Sequence, residues 1–201
     1  IMSKSLTKES YYEGLTSYPA ARCVRILNPL SADLNVMRQT LLFNTMEAVQ
    51  LNANRRNGNL RLYEFGNCYF YDEAARDAEK PLSAYSEQYR LAIAVTGAAV
   101  PQSWNAKPQA SSFFTLRAVA EKLLRRFGLD IYALKCEPLQ SDLFGDGISL
   151  SAGNGRELLQ MGVVAPRIRR AFDLKQEVYY LEMNFDALVK STRKHRIPFE
   201  K

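Results

Sequence analysis

The sequence predicts an α+β fold, a mostly antiparallel sheet flanked by helices. Three observations carry this. β-like segments follow one another with few helices between them, which is the order of an antiparallel sheet and not of alternating βαβ units. Two segments, near residues 37–54 and 113–128, place apolar residues at helical spacing. The stretch "GISLSAGNGRELLQMGVVAP" reads as a hairpin, because Gly-Asn-Gly supplies residues tolerant of positive φ between two β-like runs. It is no P-loop, and a lone glycine pattern is weak evidence for phosphate binding.

Taken in order, residues 1–6 and Val24–Leu27 are candidate short strands. In "NPLSAD" the Asn-Pro step interrupts regular structure, and Ser31 or Asp33 can cap a helix. Leu34, Met37, Leu41, Leu42, Met46 and Val49 then recur at helical spacing, which predicts a helix from Met37 to Asn54, roughly 27 Å long. It stops in "NANRRNGN", where Asn and Gly suit a helix end. Two strands follow, "LRLYEFGNCYFYD" and "YRLAIAVTGAA", with the polar loop "EAARDAEKPLSAYSEQ" between them. "SSFFTLRAVAEKLLRRFGLD" is a second helix: Phe113, Leu116, Val119, Ala120, Leu123 and Leu124 form its stripe, and Gly128 stands where a cap glycine belongs. "YALKCEPL" is a strand, the hairpin comes next, and "PRIRRAF" opens a short helix with Pro at its first position. "EVYYLEMNF" is the last strand and "DALVK" a last helical turn or two.

Composition narrows the function classes. The 201 residues fit one large domain or two small ones. No apolar run approaches the roughly 20 residues of a membrane helix, and no signal-peptide pattern opens the chain. Cys23, Cys68 and Cys136 are odd in number and far apart, which argues for free thiols in a reducing compartment. No cysteine pair has metal-ligand spacing, and the single histidine, His195, stands in the terminal "STRKHRIPFEK"; a zinc site or a histidine-activated nucleophile is therefore not expected. The formal charge of +6 is dispersed over several short clusters. That fits solvated helix faces, with weak attraction to RNA as the alternative. A start without Met and a Pro-containing end, "RIPFEK", read as a piece cut from a longer polypeptide.

Glu64, inside "LYEFGNCYFYD", needs a reason, because a buried carboxylate is costly unless paired. Either it pairs with Arg38 in a structural ion pair that ties helix to strand, or it stands solvated on the outer sheet face.

"VRILNPLSADLNVMRQTLLFNTMEAVQLNANR" followed by "LYEFGNCYF" resembles the β subunit of bacterial phenylalanyl-tRNA synthetase. The likeness lies in the Asn-Pro-Leu-Ser turn, the Met-Arg before a Leu-rich helix, the Asn-rich helix end and the Tyr-Glu-Phe-Gly strand. It continues through "SWNAKPQASSFFTLRAVAEKLLRRFGL" and "LLQMGVVAPRIRRAFDLKQEVYYLEMNFDAL", about residues 24 to 190. The resemblance implies a C-terminal core domain like that of class II aminoacyl-tRNA synthetases over residues 1–190, with 191–201 starting a linker to a following domain.

The resemblance also implies what is missing. A class II core activates its amino acid with ATP, using Arg on the second-motif strands and at the third-motif helix start; fixed guanidinium groups are what phosphoryl chemistry requires. Here Gly66-Asn67-Cys68-Tyr69-Phe70 puts an uncharged ring, Phe70, at the position of the first Arg, with Arg61 as the nearest substitute. "YYLEMNFDALVK" lacks the glycines and the Arg of the third motif. The domain is therefore expected to have no catalytic residues and no cofactor or metal of its own, ATP and Mg2+ belonging to the holoenzyme. The implied partners are the catalytic α subunit, in an α2β2 heterotetramer, and tRNA(Phe) through the assembled cytoplasmic enzyme. Met37, Leu41, Leu42, Met46 and Val49 are read as core against the sheet or, taking this as the first-motif helix, as the joint with that partner. Two other readings stay open: a degenerate ATP-dependent ligase and a free-standing RNA-binding module.

Overall fold

The computed structural model describes residues 1–29 and 31–192. Its centre is an antiparallel sheet of six strands. Strand β3 (Leu60–Tyr71) pairs with β4 (Tyr85–Thr96), β4 with β10 (Val178–Asn184), β10 with β9 (Glu157–Val164), β9 with β8 (Phe144–Ser151), and β8 with β7 (Lys135–Pro138). Two small pairs stand apart: β1 (Leu6–Thr7) with β2 (Val36–Met37), and β5 (Ala98–Val100) with β6 (Gln109–Ala110). The helices are α1 (Leu42–Asn54), α2 (Phe113–Arg126), α3 (Pro166–Ala171) and α4 (Phe185–Thr192).

Alternation along the strands gives the sheet two buried faces. On β10, Val178 and Tyr180 join one core with Ala92 and Ala94 of β4, while Leu181 and Met183 join a second with Leu91 and Val95. The second core is closed by Leu116, Ala120 and Leu124 of α2 and Leu188 of α4. α2 starts in a capping box between Ser112 and Thr115, and Gly128, just past its end, adopts the left-handed φ of +74°. The first core is closed by α1 and by the N-terminal segment through Tyr12, Leu15 and Cys23. Because strands buried on both faces cannot alternate apolar with polar, β10 reads as an almost continuous apolar run.

The helix expected from Met37 begins instead at Leu42. Met37 belongs to β2 and pairs with Leu6. Residues 38–40 spend their polar side chains on tertiary contacts, and the Thr40 hydroxyl accepts the Leu42 N–H, so the first helical turn forms only after them. Val24–Leu27 is reduced to a bridge between Arg25 and Val36. β4 starts at Tyr85, and α4 runs to Thr192, past the boundary expected at 190. Residues 193–201, with the tail His195, lie outside the described residues.

Met46 is fully buried between α1 and the sheet. Met46→Ala should lower stability by about 2–5 kcal/mol in urea titration, the usual span for such a truncation.

Candidate functional site: two buried ion pairs on one sheet face

Glu64, Gly66, Cys68 and Phe70 are alternate residues of β3 and are all buried on the face shared with α1. The structure brings Arg38 and Glu64 together. Arg38 Nη1 lies 2.8 Å from Glu64 Oε1, and the two side chains keep 3% and 1% of their exposure. Arg38 also donates from Nε to the Asn67 carbonyl at 2.9 Å, and from Nη1 to the Ser3 hydroxyl at 2.7 Å. The Ser3 hydroxyl and N–H donate to Glu64 in turn. This pair therefore ties the N-terminal segment to the edge strand β3, in addition to joining β3 to the chain before α1. Gly66 is part of the same fit: a Cβ there would stand 2.1 Å from Arg38 Nη2. Gly66→Ala must push the guanidinium off its carboxylate, and a loss of about 1–3 kcal/mol is expected by chemical denaturation. An unchanged midpoint would show that Arg38 moves aside freely.

The second pair lies deeper in the sheet. Arg90 of β4 stands opposite Gly66 of β3 and Asn184 of β10. Its Nη1 meets Glu182 Oε1 at 2.5 Å and donates to the Tyr18 hydroxyl at 2.9 Å. The second oxygen of Glu182 accepts from the Thr40 and Tyr180 hydroxyls, each at 2.5 Å, and from the Leu41 N–H at 3.2 Å. The Arg90 guanidinium lies 5.2 Å from the centre of the Phe70 ring and 5.8 Å from that of Tyr18, within cation–π range. Burial pushes the Tyr18 phenol up to about 12, and Arg90 only partly opposes this, so the phenol keeps its proton at neutral pH.

The segment that carries Tyr18 crosses this face as a strap. Leu15 is buried beneath it, and the Thr16 N–H and hydroxyl both donate to Asp142. Burial pushes the Asp142 carboxyl up, but the bonds from Thr16 and Ser17 outweigh this and hold it below its ordinary value. The depressed pKa gives the sign: the clasp's contribution is complete above the ordinary value near 4 and is lost as pH falls through the lower folded value. Asp142→Asn should accordingly flatten the acid limb of the stability–pH profile below about pH 4.

Between strap and strands a cavity of about 220 Å³ remains, lined by Tyr18, Gln88, Arg90, Glu157, Leu158, Leu159, Gln160, Glu182 and Asn184. That is smaller than the roughly 300–1,000 Å³ of ordinary small-molecule pockets. Among the described residues its one guanidinium is already neutralised by Glu182, and Glu157 adds a negative charge at the wall. These residues do not fit a nucleoside triphosphate. Arg61 does not help: it is exposed, out of phase with the buried Glu64 and Phe70 along β3, and bonded to the Ala99 carbonyl. Among the described residues no group of three or more His, Cys, Asp or Glu could hold a metal ion, and no helix is long and apolar enough to cross a membrane.

Of the row read as core or partner joint, Leu41, Leu42, Met46 and Val49 have no exposure at all and belong to the chain's own first core. Met37, on β2, is half-buried. The four buried residues have no area left to offer a partner. Sequence reasoning missed Arg90, Glu182 and Tyr18. The available signal was the same that singled out Glu64, a carboxylate inside an apolar strand, here in "YYLEMNF".

Residues 1–185 match the family model described as the phenylalanyl tRNA synthetase beta chain CLM domain. The phenylalanine–tRNA ligase beta subunit of Bacteroides thetaiotaomicron is 43% identical over 200 residues, which is 100% of this chain and 24% of the relative. That of Porphyromonas gingivalis is 38% identical over 98% of this chain and 24% of its own length. The chain thus spans about a quarter of the curated relatives it matches. Among solved structures, a pyrrolysyl tRNA synthetase from Desulfitobacterium hafniense, PylSc, superposes with a TM-score of 0.67 over 96% of this chain and 62% of that one, at 14% identity, a likeness of fold alone. The sheet and its helices are therefore those of a class II synthetase-like core, and the chain belongs to the family of phenylalanyl-tRNA synthetase β chain CLM domains.

Proposed function

We propose that this domain is a non-catalytic, synthetase-like part of a phenylalanyl-tRNA synthetase β subunit. It supports assembly with the catalytic α subunit, in a cytoplasmic α2β2 enzyme that charges tRNA(Phe) with phenylalanine using ATP and Mg2+. The observation that carries the reading is the state of the sheet face. By the family resemblance Phe70 stands where a phosphate-binding Arg would be needed; Arg90 beside it is spent on Glu182 beneath the Tyr18 strap, and the exposed Arg22 lies 5.9 Å from the same ring in a cation–π contact. Transition-state stabilisation of phosphoryl transfer needs unspent, pre-aimed positive charge.

A joint with the α subunit has to use side chains that remain exposed. Tyr63, Phe65 and Tyr89 form a contiguous aromatic row on β3 and β4, 63%, 41% and 39% exposed, with Phe65 stacked on Tyr89 at 6.0 Å. Aromatic side chains of this kind are common anchors of protein interfaces.

The test has two arms. Titration of the domain with ATP or phenylalanine should show no micromolar binding; such binding would favour the degenerate ligase. Co-purification with a catalytic α subunit should be retained by wild type and weakened by Tyr63→Ser with Phe65→Ser, variants that leave both cores intact. Failure of the wild-type domain to associate within the complete β chain would remove the assembly reading.

A further inference from the structure

The cavity beside Arg90 is too small and too poor in free positive charge for a nucleotide, yet its walls are not chemically spent. Gln88 accepts from Arg90 through Oε1, but among the described residues its Nε2 has no partner. Asn184 accepts the Ala187 N–H through Oδ1, and its Nδ2 likewise has none. Tyr18 accepts from Arg90, which leaves its own O–H proton to give. Gln160 donates both of its bonds to Glu157 and keeps Oε1 as a free acceptor. Three neutral donors and one neutral acceptor thus line a cavity of about 220 Å³ that also holds the Tyr18 ring and the apolar Leu158 and Leu159. Carboxamides pair a donor with an acceptor in one plane, which is how they read the edges of flat heterocycles.

We propose that this cavity binds a small, neutral, flat ligand rich in carbonyl or ring-nitrogen acceptors and carrying one N–H group, the edge chemistry of a pyrimidine base. Donors from Tyr18, Gln88 and Asn184 meet its acceptors, Gln160 takes its N–H, and the Tyr18 ring offers a stacking surface. The charge balance selects against anions, because Glu157 and Glu182 outnumber Arg90 at the wall. The base can come from a free nucleoside or from an unpaired RNA end. The inference goes beyond the assembly role and stands without it.

The test uses calorimetry and NMR shift mapping on the 201-residue chain, with cytidine, uridine and a short single-stranded oligonucleotide ending in cytidine as probes. The expected dissociation constant for a nucleoside is on the order of 0.1–1 mM, as its few heavy atoms allow. Gln88→Glu and Asn184→Asp keep shape and the acceptors used by Arg90 and Ala187 but delete the amide donors. Each should weaken binding at least about tenfold, since a carboxylate then faces the ligand's acceptors. Unchanged melting temperatures verify that both variants fold, and Tyr18→Phe gives a third, neutral deletion. Tighter binding of the oligonucleotide, with the same sensitivity to the variants, assigns the base to an RNA end; equal binding assigns it to the free nucleoside. No binding of any probe up to about 10 mM, binding indifferent to all three variants, or displacement of the probe by phenylalanine would overturn the proposal.

Discussion

Replacing Glu182 by alanine is expected to cost about 3–5 kcal/mol, a large share of the roughly 5–15 kcal/mol that holds a domain of this size together. Glu182 is the shared acceptor for the Arg90 guanidinium, the Thr40 and Tyr180 hydroxyls and the Leu41 N–H. Its removal leaves all four without that acceptor in a largely buried site, and the bare guanidinium dominates the cost. Glu182→Gln should be milder, because an amide oxygen still accepts from part of the group while only the charge is lost. Urea titration of the three proteins measures the series. A loss below about 1 kcal/mol for alanine would show that Arg90 swings out to solvent past the Tyr18 strap, and that the strap is no seal.

Arg38→Ala should rank with it, again by about 3–5 kcal/mol, for it leaves Glu64 charged and almost wholly buried. Here a paired replacement separates the worth of the ion pair from the penalty of breaking it. Arg38→Met combined with Glu64→Leu removes both charges and fills the space, so the double variant should be markedly more stable than the sum of its two single replacements. Simple additivity would mean that the two groups do not feel each other, contrary to their 2.8 Å contact. The double variant also loses the anchor of Ser3. Faster amide exchange in residues 3–7 is therefore expected even where global stability returns.

Much of the fold was legible. The strand–loop–strand around Tyr71 and Tyr85, the α2 helix with its Gly128 stop, and the hairpin around Gly155 are local events, written in period, caps and turn residues. What failed was the start of α1. Met37 and Leu41 stand at helical spacing, yet Met37 pairs with Leu6, a partner 31 residues away. Periodicity cannot see a competing strand of two residues. The hairpin of β5 and β6, with Trp104 97% exposed at its turn, was missed because so short a ladder leaves no pattern.

The candidate site was legible only in its first half. Glu64 stands out in a strand, and the guess that Arg38 answers it needs only that the chain before α1 fold back on β3. Arg90, Glu182 and Tyr18 come from 72, 92 and 164 residues apart in sequence, and no spacing rule links them.

From its residue pattern alone the chain specifies an antiparallel sheet with helices on its faces, and marks Glu64 as a carboxylate inside a strand that needs a partner. Only the tertiary structure decided that Leu41, Leu42, Met46 and Val49 are consumed by the chain's own core, and that Arg90, which shares the Phe70 ring with Arg22, is already neutralised by Glu182. The reason is physical. Period and propensity act between neighbours a few residues apart, whereas burial and charge compensation depend on which distant groups share a volume from which water has been removed.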